Sequence, residues 1–279
     1  MKKINANEIT AQVADLCIQA NIHPNPTVKA TLCQAFQDET SPLAQTALGM
    51  IVENMAVAQR ENMPMCQDTG MVIAFVDIGQ EVYVAGNLAE AIHEGVRQGY
   101  KQGYLRASVV ADPLARTNTG DNTPAVIHYN IVPGDQLKIT IKPKGFGSEN
   151  KSALKMLNPS DGRQGVVDFV VDTVRAAGSS PCPPIVLGIG VGGSMEKSAI
   201  LAKQALLLDI KEHHPDPAWA AMEAEILEKV NALNIGAAGF KGITTALGAR
   251  ILTHPTHIAG LPVAVNIDCH VTRSKTAII

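Results

Sequence analysis

Residues 185–194 have the sequence Ile-Val-Leu-Gly-Ile-Gly-Val-Gly-Gly-Ser. The stretch starts with consecutive apolar residues, becomes rich in glycine and ends in serine, a favoured residue at the N-cap of an α-helix. A short apolar run that is bounded by glycine is typical of a buried strand. The stretch therefore predicts a strand at 185–190, a glycine turn and a helix at 195–209.

The chain on both sides of this unit predicts further elements. The predicted helices cover 88–103, 149–157, 163–176 and 217–232, and the predicted strands cover 71–78, 126–132, 137–141, 249–253 and 262–267. Residues 133–136, Pro-Gly-Asp-Gln, have the length and composition of a hairpin loop. In the strand that follows, apolar residues alternate with Lys138, Thr140 and Lys142, which predicts one solvent-facing side.

A hairpin combined with strand–helix alternation predicts an α/β mixed fold with α+β character, in which helices pack on a mixed sheet. Residues 5–62 are predicted to form helices that are interrupted near Pro24 and Pro42. Because no repeat, low-complexity tract or long linker divides the chain, we expect a single domain over residues 1–279. It would consist of a helical N-terminal portion, 1–62, and a core, 63–279, that carries the functional residues.

The composition narrows the class of protein. Hydrophobic residues make up 46% of the 279 residues and charged residues 18%, so the chain can bury a sizeable core. A net charge of −3 argues against a general nucleic-acid binder, and no stretch reaches the roughly 18 apolar residues of a membrane span. Five cysteines without a dense framework indicate a reducing compartment. We expect a cytoplasmic protein that binds neither nucleic acid nor membrane.

Three of the five cysteines lie in polar loops that adjoin apolar runs. They are Cys66 in Met-Cys-Gln-Asp, Cys182 in Pro-Cys-Pro-Pro and Cys269 in Asp-Cys-His. Cys17 and Cys33 instead continue apolar stripes at helical spacing and are predicted to be core residues. Loop thiolates can hold an iron–sulfur cluster with one open iron. No CxxC motif supports this, and an isolated cysteine is often a small buried hydrophobe, so the spacing leaves both interpretations open.

Two glycine-rich turns allow either a binding or a packing interpretation. Residues 188–193 match the GxGxxG pattern of dinucleotide sites, but Asp209 lies at the end of a predicted helix and not at the end of the second strand that such a site requires. The turn can still hold an anion at a helix N-terminus, or it can allow close packing. The turn with Gly145 and Gly147 presents the same choice between an anion site and an ordinary connection.

Polar residues beside the first loop cysteine are candidates for proton transfer and substrate binding. Asp68 can act as a general acid or base, or it can close an Asx turn. Arg106 can clamp a carboxylate or remain solvated. His254, His257 and His270 lack the spacing of a zinc site, so hydrogen-bonding roles are predicted for them.

Five motifs occur together in the order of a known family. They are Cys66-Gln67-Asp68-Thr69-Gly70, Gly147-Ser148-Glu149-Asn150, Pro181-Cys182-Pro183-Pro184, Gly192-Gly193-Ser194 with Glu196, and Pro-Thr-His-Ile-Ala-Gly-Leu-Pro-Val-Ala-Val-Asn at 255–266. Over roughly residues 40–275 the chain closely resembles the class I, iron–sulfur-dependent fumarate hydratases and the related L(+)-tartrate dehydratases. Departures from the family pattern, which bear on the substrate and not on the cluster, occur at Phe146, Asp268 and Val271.

The resemblance implies roles for individual residues. The ligands of a [4Fe–4S] cluster, whose fourth iron binds the substrate, would be Cys66, Cys182 and Cys269. The catalytic acid–base residue would be Asp68. The groups on the substrate side would be Gln67, Arg106, Gly145 and Gly147.

The resemblance also implies the alpha subunit of a hydro-lyase that adds water to, or removes it from, a C4 dicarboxylate, in the first place fumarate and malate. L(+)-tartrate and methylated dicarboxylates are alternative substrates. From other classes, the alternatives are a non-catalytic subunit that carries the cluster and a nucleotide-dependent oxidoreductase. Single-chain members of the family continue beyond the third cysteine, whereas this sequence stops at Ile279. We therefore expect a separate beta subunit, in an α₂β₂ assembly, with the Cys66 and Gly145 loops at the subunit junction.

Overall fold

Strands and helices alternate along most of the chain in the computed structural model, which describes Met1–Ile279. The strands are β1 (Lys2–Asn5), β2 (Met71–Gly79), β3 (Val82–Ala85), β4 (Val126–Val132), β5 (Leu137–Lys144), β6 (Ala153–Leu157), β7 (Ile185–Gly192), β8 (Ala246–His254), β9 (Leu261–Asp268) and β10 (Lys275–Ile278). The helices are α1 (Ala6–Ile22), α2 (Pro26–Asp38), α3 (Pro42–Glu61), α4 (Leu88–Gln102), α5 (Phe146–Glu149), α6 (Gly162–Ala177), α7 (Met195–Ala205) and α8 (Pro217–Asn231). The predicted mixed α/β fold is confirmed. None of the helices combines the length and the apolar character that crossing a membrane requires.

The residues form two compact units. The first unit consists of Met1–Pro24, Met55–Phe146 and Arg273–Ile279, and the second consists of Asn25–Asn54 and Gly147–Thr272. Each unit has its own four-stranded sheet and its own apolar core. Organisation as one domain over 1–279, with a functional core at 63–279, stays a prediction.

The first unit is built on a sheet with the strand order β10-β5-β2-β4. Strand β2 is antiparallel to β5 and parallel to β4, and β10 is antiparallel to β5. Helices α1 and α4 pack against each other, and α1 also packs on β5. Helix α4 begins where the Asn87 side chain accepts a hydrogen bond from Glu90 N (3.1 Å). The apolar faces of these helices and strands form the core of the unit.

The predicted hairpin is wrong, because β2 lies between β4 and β5. The loop 133–136 instead passes over the end of β2, where Gly79 N donates to Gln136 O (2.9 Å). A Cβ atom on residue 79 would lie 2.4 Å from Gly134 O, so the crossing requires glycine at this position. Four residues can span two strand spacings of about 4.8 Å each. The length of the loop therefore could not distinguish a hairpin from a crossing.

The polar side of β5 was predicted to face solvent, but most of it is buried. Lys142 and Lys144 are fully buried, and Thr140 is buried. Only Lys138, near the start of the strand, is exposed as predicted. The buried groups have polar partners. The hydroxyl groups of Thr140 and Thr276 pair across β5 and β10 (2.9 Å), and Lys144 Nζ donates to the carbonyl oxygen of the following residue (3.2 Å). A lysine can be buried when its stem packs on apolar atoms and its ammonium group is hydrogen-bonded, which alternation does not reveal.

The second unit is built on a sheet with the strand order β6-β9-β7-β8. All eight residues of β7 are buried, and this strand is parallel to β8 and antiparallel to β9. Helix α7 packs on β7, α8 packs on β8, and α6 packs against α8. The strand, glycine turn and helix predicted from residues 185–194 are confirmed, although the strand continues to Gly192 and not only to 190, and the helix ends at Ala205 and not at 209.

The helix predicted near 149–157 is wrong. Only the short α5 forms there, and β6 follows it and pairs antiparallel with β9. Strand β6 lies at the edge of the sheet, and its Leu154 and Met156 side chains are exposed. Residues such as alanine, leucine and lysine favour helices, but strand pairing with β9 overrides that preference.

The glycines of β7 allow α7 to pack closely on the sheet. A Cβ atom on Gly188 would lie 2.1 Å from Ala202 O. A Cβ atom on Gly190 would lie 2.0 Å from Ser198 O. Both of these carbonyl oxygens belong to the backbone of α7, so neither glycine position tolerates a side chain without a shift of the helix.

The start of α7 has a negative charge of its own. The Ser194 side chain makes no hydrogen bond to the helix backbone and instead donates to the Glu196 carboxylate. This hydrogen bond, together with one from the backbone, lowers the pKa of Glu196. A carboxylate in the first turn of a helix already offsets the positive end of the helix dipole. The structure thus favours the packing interpretation of the glycine turn over the anion-binding one.

Gly190→Ala should destabilise the chain by about 3 kcal/mol, near the upper end for overpacking, because the new Cβ atom would meet rigid backbone. Urea unfolding followed by circular dichroism measures the difference. Gly260→Ala is the matched control, since a Cβ atom there would have no neighbour closer than 3.9 Å. If the two variants were equally stable, the packing role of Gly190 would be refuted.

Candidate active site

The loop from Cys66 to Gly70 lies between α3 and β2 in the first unit. Cys66 is half-buried and Gln67 is exposed. Asp68 Oδ1 accepts a hydrogen bond from Gly70 N (3.0 Å), so an Asx turn is present. The other carboxylate oxygen, Asp68 Oδ2, accepts a hydrogen bond from Phe146 N (3.0 Å). Backbone amides therefore fix both oxygens of this carboxylate.

Two buried side chains, those of Tyr100 and Asn122, form hydrogen bonds to the backbone of the same loop. The Tyr100 hydroxyl lies within hydrogen-bond distance of the carbonyl oxygens of Thr69 (2.7 Å) and Gly70 (2.9 Å) and shares its one proton between them. Asn122 Nδ2 donates to Gly70 O (3.1 Å), while its Oδ1 accepts from Ser108 N (2.8 Å). Burial raises the pKa of the Tyr100 phenol, so the hydroxyl stays protonated and remains a donor. Sequence analysis identified neither residue, because no local pattern signals a contact with a distant loop.

The structure places Arg106 next to this loop. The Thr69 hydroxyl accepts a hydrogen bond from Arg106 N (2.9 Å) and donates one to Arg106 O (3.1 Å). The backbone of Arg106 is therefore held, while its side chain is exposed and forms no hydrogen bond or ion pair. An exposed guanidinium group on a fixed backbone is suited to bind a carboxylate.

A second turn meets the Asp68 carboxylate at Gly145. A Cβ atom on Gly145 would lie 3.2 Å from Asp68 Oδ2 and 3.6 Å from Arg273 Nη2. Arg273 is buried, with Nη2 donating to Asp68 O and Nε donating to Pro143 O (3.4 Å). Sequence analysis missed Arg273, because an isolated arginine near the end of the chain forms no motif.

Gly147 belongs to the second unit and is exposed. A Cβ atom on this residue would meet nothing within 4 Å. Two residues further along the same unit, Glu149 forms an ion pair with Lys203 and accepts a hydrogen bond from Asn266 Nδ2 (2.9 Å). The four residues of α5 are too few for an anion-binding helix N-terminus. The open space at Gly147 does allow close approach to the backbone.

The second unit brings the other two loop cysteines together. Cys182 precedes β7 and Cys269 follows β9. Because these strands are antiparallel neighbours, with Val186 opposite Asp268, the start of one and the end of the other lie at the same edge of the sheet. Two loops that are distant in sequence are thereby adjacent in space.

A hydrogen bond joins these two cysteine loops. His270 Nδ1 lies 2.9 Å from Cys182 O, and since a carbonyl oxygen can only accept, this nitrogen carries the proton. Desolvation lowers the pKa of His270, which keeps the ring neutral near pH 7. Cys182 is exposed and has a φ of +55°, an uncommon conformation for a residue with a Cβ atom. The turn after β9 is closed by Thr272 N, which donates to Cys269 O (2.9 Å).

The other two histidines of interest also form local hydrogen bonds. His254 Nδ1 lies 2.8 Å from Pro255 O, and His257 Nδ1 accepts from Ala259 N (3.2 Å). The hydrogen-bonding roles predicted for these residues are confirmed. No group of three or more histidine, cysteine, aspartate or glutamate side chains converges as the ligands of a single metal ion would.

The five cysteines differ in accessibility, and none forms a disulfide. Cys17 is fully buried, as predicted, and burial raises the pKa of its thiol. Cys33 is only half-buried, so its assignment to the core is wrong. Cys33 lies beside, and not on, the apolar stripe of α2, whose buried residues are Val28, Leu32 and Ala35.

Comparison with known proteins identifies the family. The profile of a family described as "Fumarate hydratase (Fumerase)" matches residues 10–278. The chain belongs to the fumarate hydratase family. It is therefore a hydro-lyase, as the motifs predicted. The resemblance inferred from those motifs is confirmed and extends over nearly the whole chain.

Individual members of the fumarate hydratase family are similar over their full length. The chain is 42% identical over 273 residues to a putative L(+)-tartrate dehydratase subunit alpha of Methanocaldococcus jannaschii, covering 95% of both chains. It is 31% identical over 279 residues to the L(+)-tartrate dehydratase subunit alpha of Escherichia coli strain UTI89, covering 99% of this chain and 92% of that one. The counterpart in strain K12 is 30% identical over 282 residues, with coverages of 100% and 93%.

Thiol labelling of this fumarate hydratase family member, without cofactor, should follow the accessibility of its cysteines. We expect iodoacetamide to modify Cys182 first, because it is exposed, and Cys17 only after unfolding, because it is buried and its thiol pKa is raised. Peptide mass spectrometry over time measures the order. Labelling of Cys17 in the folded chain as fast as that of Cys182 would contradict the structure.

Proposed function

We propose that the chain is the cluster-binding alpha subunit of a hydro-lyase that acts on a C4 dicarboxylate. The observation that carries this proposal is the Asp68 carboxylate, which two backbone amides orient two residues after Cys66. Arg106, which is tied to the same loop, offers an exposed positive charge. Membership of the fumarate hydratase family supports a reaction of this class.

The three loop cysteines suit an iron–sulfur cluster. Cys66, Cys182 and Cys269 form no disulfide, and none is sealed in a core as Cys17 is. A [4Fe–4S] cluster on three thiolates would leave one iron open as a Lewis acid for the hydroxyl group of the substrate. In such a cluster each thiolate binds a different iron, so the ligands need not converge on one point.

The remaining residues would bind the substrate and move a proton. Dehydration requires that a proton leave the carbon next to the one that carries the hydroxyl group. Asp68 would accept this proton, and would return it in the hydration of fumarate to malate. Arg106 would bind one carboxylate of the substrate, and Gln67 would donate a hydrogen bond. The backbone at Gly145 and Gly147 would allow the substrate to approach closely.

Two substrates suit these residues. The family description supports fumarate and malate, which we propose as the first pair. The named relatives support L(+)-tartrate as the second candidate. Tartrate is malate with a second hydroxyl group, placed on the carbon that loses the proton, and its dehydration gives water and the enol of oxaloacetate. Both reactions need the same base, the same Lewis acid and the same recognition of two carboxylates.

We further propose a separate beta subunit, in an α₂β₂ assembly in the cytoplasm. The chain covers 95% of the length of the M. jannaschii relative, which is named as a subunit alpha, and the E. coli relatives carry the same designation. A partner would supply positive charge for the second carboxylate and would exclude water from the site.

Anaerobic assays test this function. The chain would be reconstituted with iron and sulfide, with and without a co-expressed partner subunit, and offered fumarate, L-malate, L(+)-tartrate and a methylated fumarate. We expect turnover of malate or tartrate only with the partner present. Full activity of the 279-residue chain alone would contradict the beta subunit. A stable cluster without turnover of any dicarboxylate would favour a non-catalytic cluster carrier.

Replacement of each proposed ligand should abolish cluster assembly, because serine is a poor substitute for a thiolate. The variants are Cys66→Ser, Cys182→Ser and Cys269→Ser, and the controls that should retain the cluster are Cys17→Ala and Cys33→Ala. Iron and sulfide content after anaerobic reconstitution measures the effect. Undiminished iron in the Cys182→Ser chain would refute the ligand assignment.

Asp68→Asn should keep the cluster and lower kcat by about 10²–10⁴-fold, the usual cost of removing an acid–base group. Asparagine retains an acceptor oxygen for the loop, so the fold should be preserved. Arg106→Ala should chiefly raise KM, if this residue binds substrate and transition state equally. Steady-state kinetics at matched iron content separates the effect on kcat from the effect on KM. Normal kinetics in Asp68→Asn would show that Asp68 only closes the Asx turn and takes no part in the reaction.

A further inference from the structure

Arg273 is a buried cation that the proposed chemistry has not used. The residue is 5% exposed, and both hydrogen bonds of its side chain go to backbone carbonyl oxygens, those of Asp68 and Pro143. The third nitrogen, Nη1, is buried and has no hydrogen-bond partner. A buried guanidinium group without a carboxylate partner is costly, so stability alone does not explain it.

Arg250 shows what a buried structural arginine looks like in the same chain. It is 4% exposed, and its Nε donates to the Glu223 carboxylate (3.1 Å), which is equally buried. That carboxylate also accepts from Ile251 N (2.8 Å). The charge of Arg250 is therefore paired, whereas that of Arg273 is not.

The contacts of Arg273 connect two segments that fix the Asp68 carboxylate. The guanidinium group donates through Nη2 to Asp68 O and through Nε to Pro143 O, at the next-to-last residue of β5. Three residues beyond Pro143, Phe146 N donates to Asp68 Oδ2. Gly145 lies between Pro143 and Phe146 in the chain. A Cβ atom on Gly145 would lie 3.6 Å from Arg273 Nη2 and 3.2 Å from Asp68 Oδ2.

We propose that Arg273 is a positioning residue, which holds the Asp68 loop at the distance from the end of β5 that lets Phe146 N bind the carboxylate. The inference rests on the acid–base role proposed for Asp68. The planar guanidinium group is necessary, because a lysine ammonium group has all three of its donors on one nitrogen and does not reproduce the two separated nitrogens that reach the two carbonyl oxygens. Without the fork, the two segments separate and the carboxylate loses its orientation.

The test compares Arg273→Lys and Arg273→Gln with Arg250→Lys, a control that is matched in burial. In the anaerobically reconstituted enzyme with its partner subunit, we expect both Arg273 variants to lower kcat by about 100-fold, the scale of loss for a misplaced catalytic group. KM should remain close to that of the unmodified enzyme. Arg250→Lys should lower the melting temperature and leave kcat per cluster unchanged.

A second readout does not depend on activity. Hydrogen exchange, measured by mass spectrometry on peptides that contain Gly70 and Phe146, reports the two amides that bind the Asp68 carboxylate. We expect both to lose protection in the Arg273 variants and to keep it in Arg250→Lys. If the unmodified enzyme turned over no dicarboxylate, the proposed function would fail, while the exchange data would still decide whether Arg273 positions the loop.

Three outcomes would overturn the inference. Unchanged exchange at Phe146 in both Arg273 variants would show that the arginine does not hold the carboxylate. Lost protection with an unchanged kcat would show that the orientation is irrelevant to the reaction. Failure of both variants to fold, judged by circular dichroism, would make Arg273 a structural residue.

Discussion

Three side-chain donors bind the backbone carbonyl oxygens of residues 68–70, and the geometry of the candidate site depends on these hydrogen bonds. The carbonyl oxygen of Asp68 accepts from Arg273, and that of Thr69 accepts from Tyr100. The carbonyl oxygen of Gly70 accepts from both Tyr100 and Asn122. A buried carbonyl left without a partner costs about 1–3 kcal/mol. The loop therefore adopts this shape only when α4, the segment before β4 and the segment before β10 are all in place. A geometry that looks local is a property of the whole first unit.

In the second unit, the constraint is the approach of one backbone to another. Gly188 and Gly190 bring α7 onto the buried strand β7, where any side chain would meet helix carbonyl oxygens at 2.0–2.1 Å. That strand sits beside β9, and their antiparallel pairing places the loops of Cys182 and Cys269 at one edge. The glycines that match a nucleotide-binding pattern thus allow α7 to pack on the sheet. The sheet in turn sets the separation of two proposed ligands, Cys182 and Cys269. The hydrogen bond from His270 then fixes that separation.

Sequence patterns predicted the parts of the structure in which neighbouring residues interact. The strand and helix within 185–205 and the Asx turn at Asp68 depend on spacings of a few residues, so they could be read from the chain. The order of β4, β2 and β5 could not, because a four-residue loop suits a hairpin and a crossing equally. Strand β6 depends on β9, more than a hundred residues away. The donors Tyr100, Asn122 and Arg273 were missed for the same reason, since each acts on a loop that is distant in sequence.

An acid–base residue must be oriented and must also keep a lone pair free for the proton. Each oxygen of the Asp68 carboxylate has two lone pairs, and Gly70 N and Phe146 N each use one. One lone pair on each oxygen remains, and the absence of a side chain at Gly145 leaves room beside Oδ2. Phe146 takes part through its backbone amide, while the residue as a whole is 45% exposed. The family departure at this position therefore keeps the backbone contact that orients Asp68, and it changes only the exposed side chain.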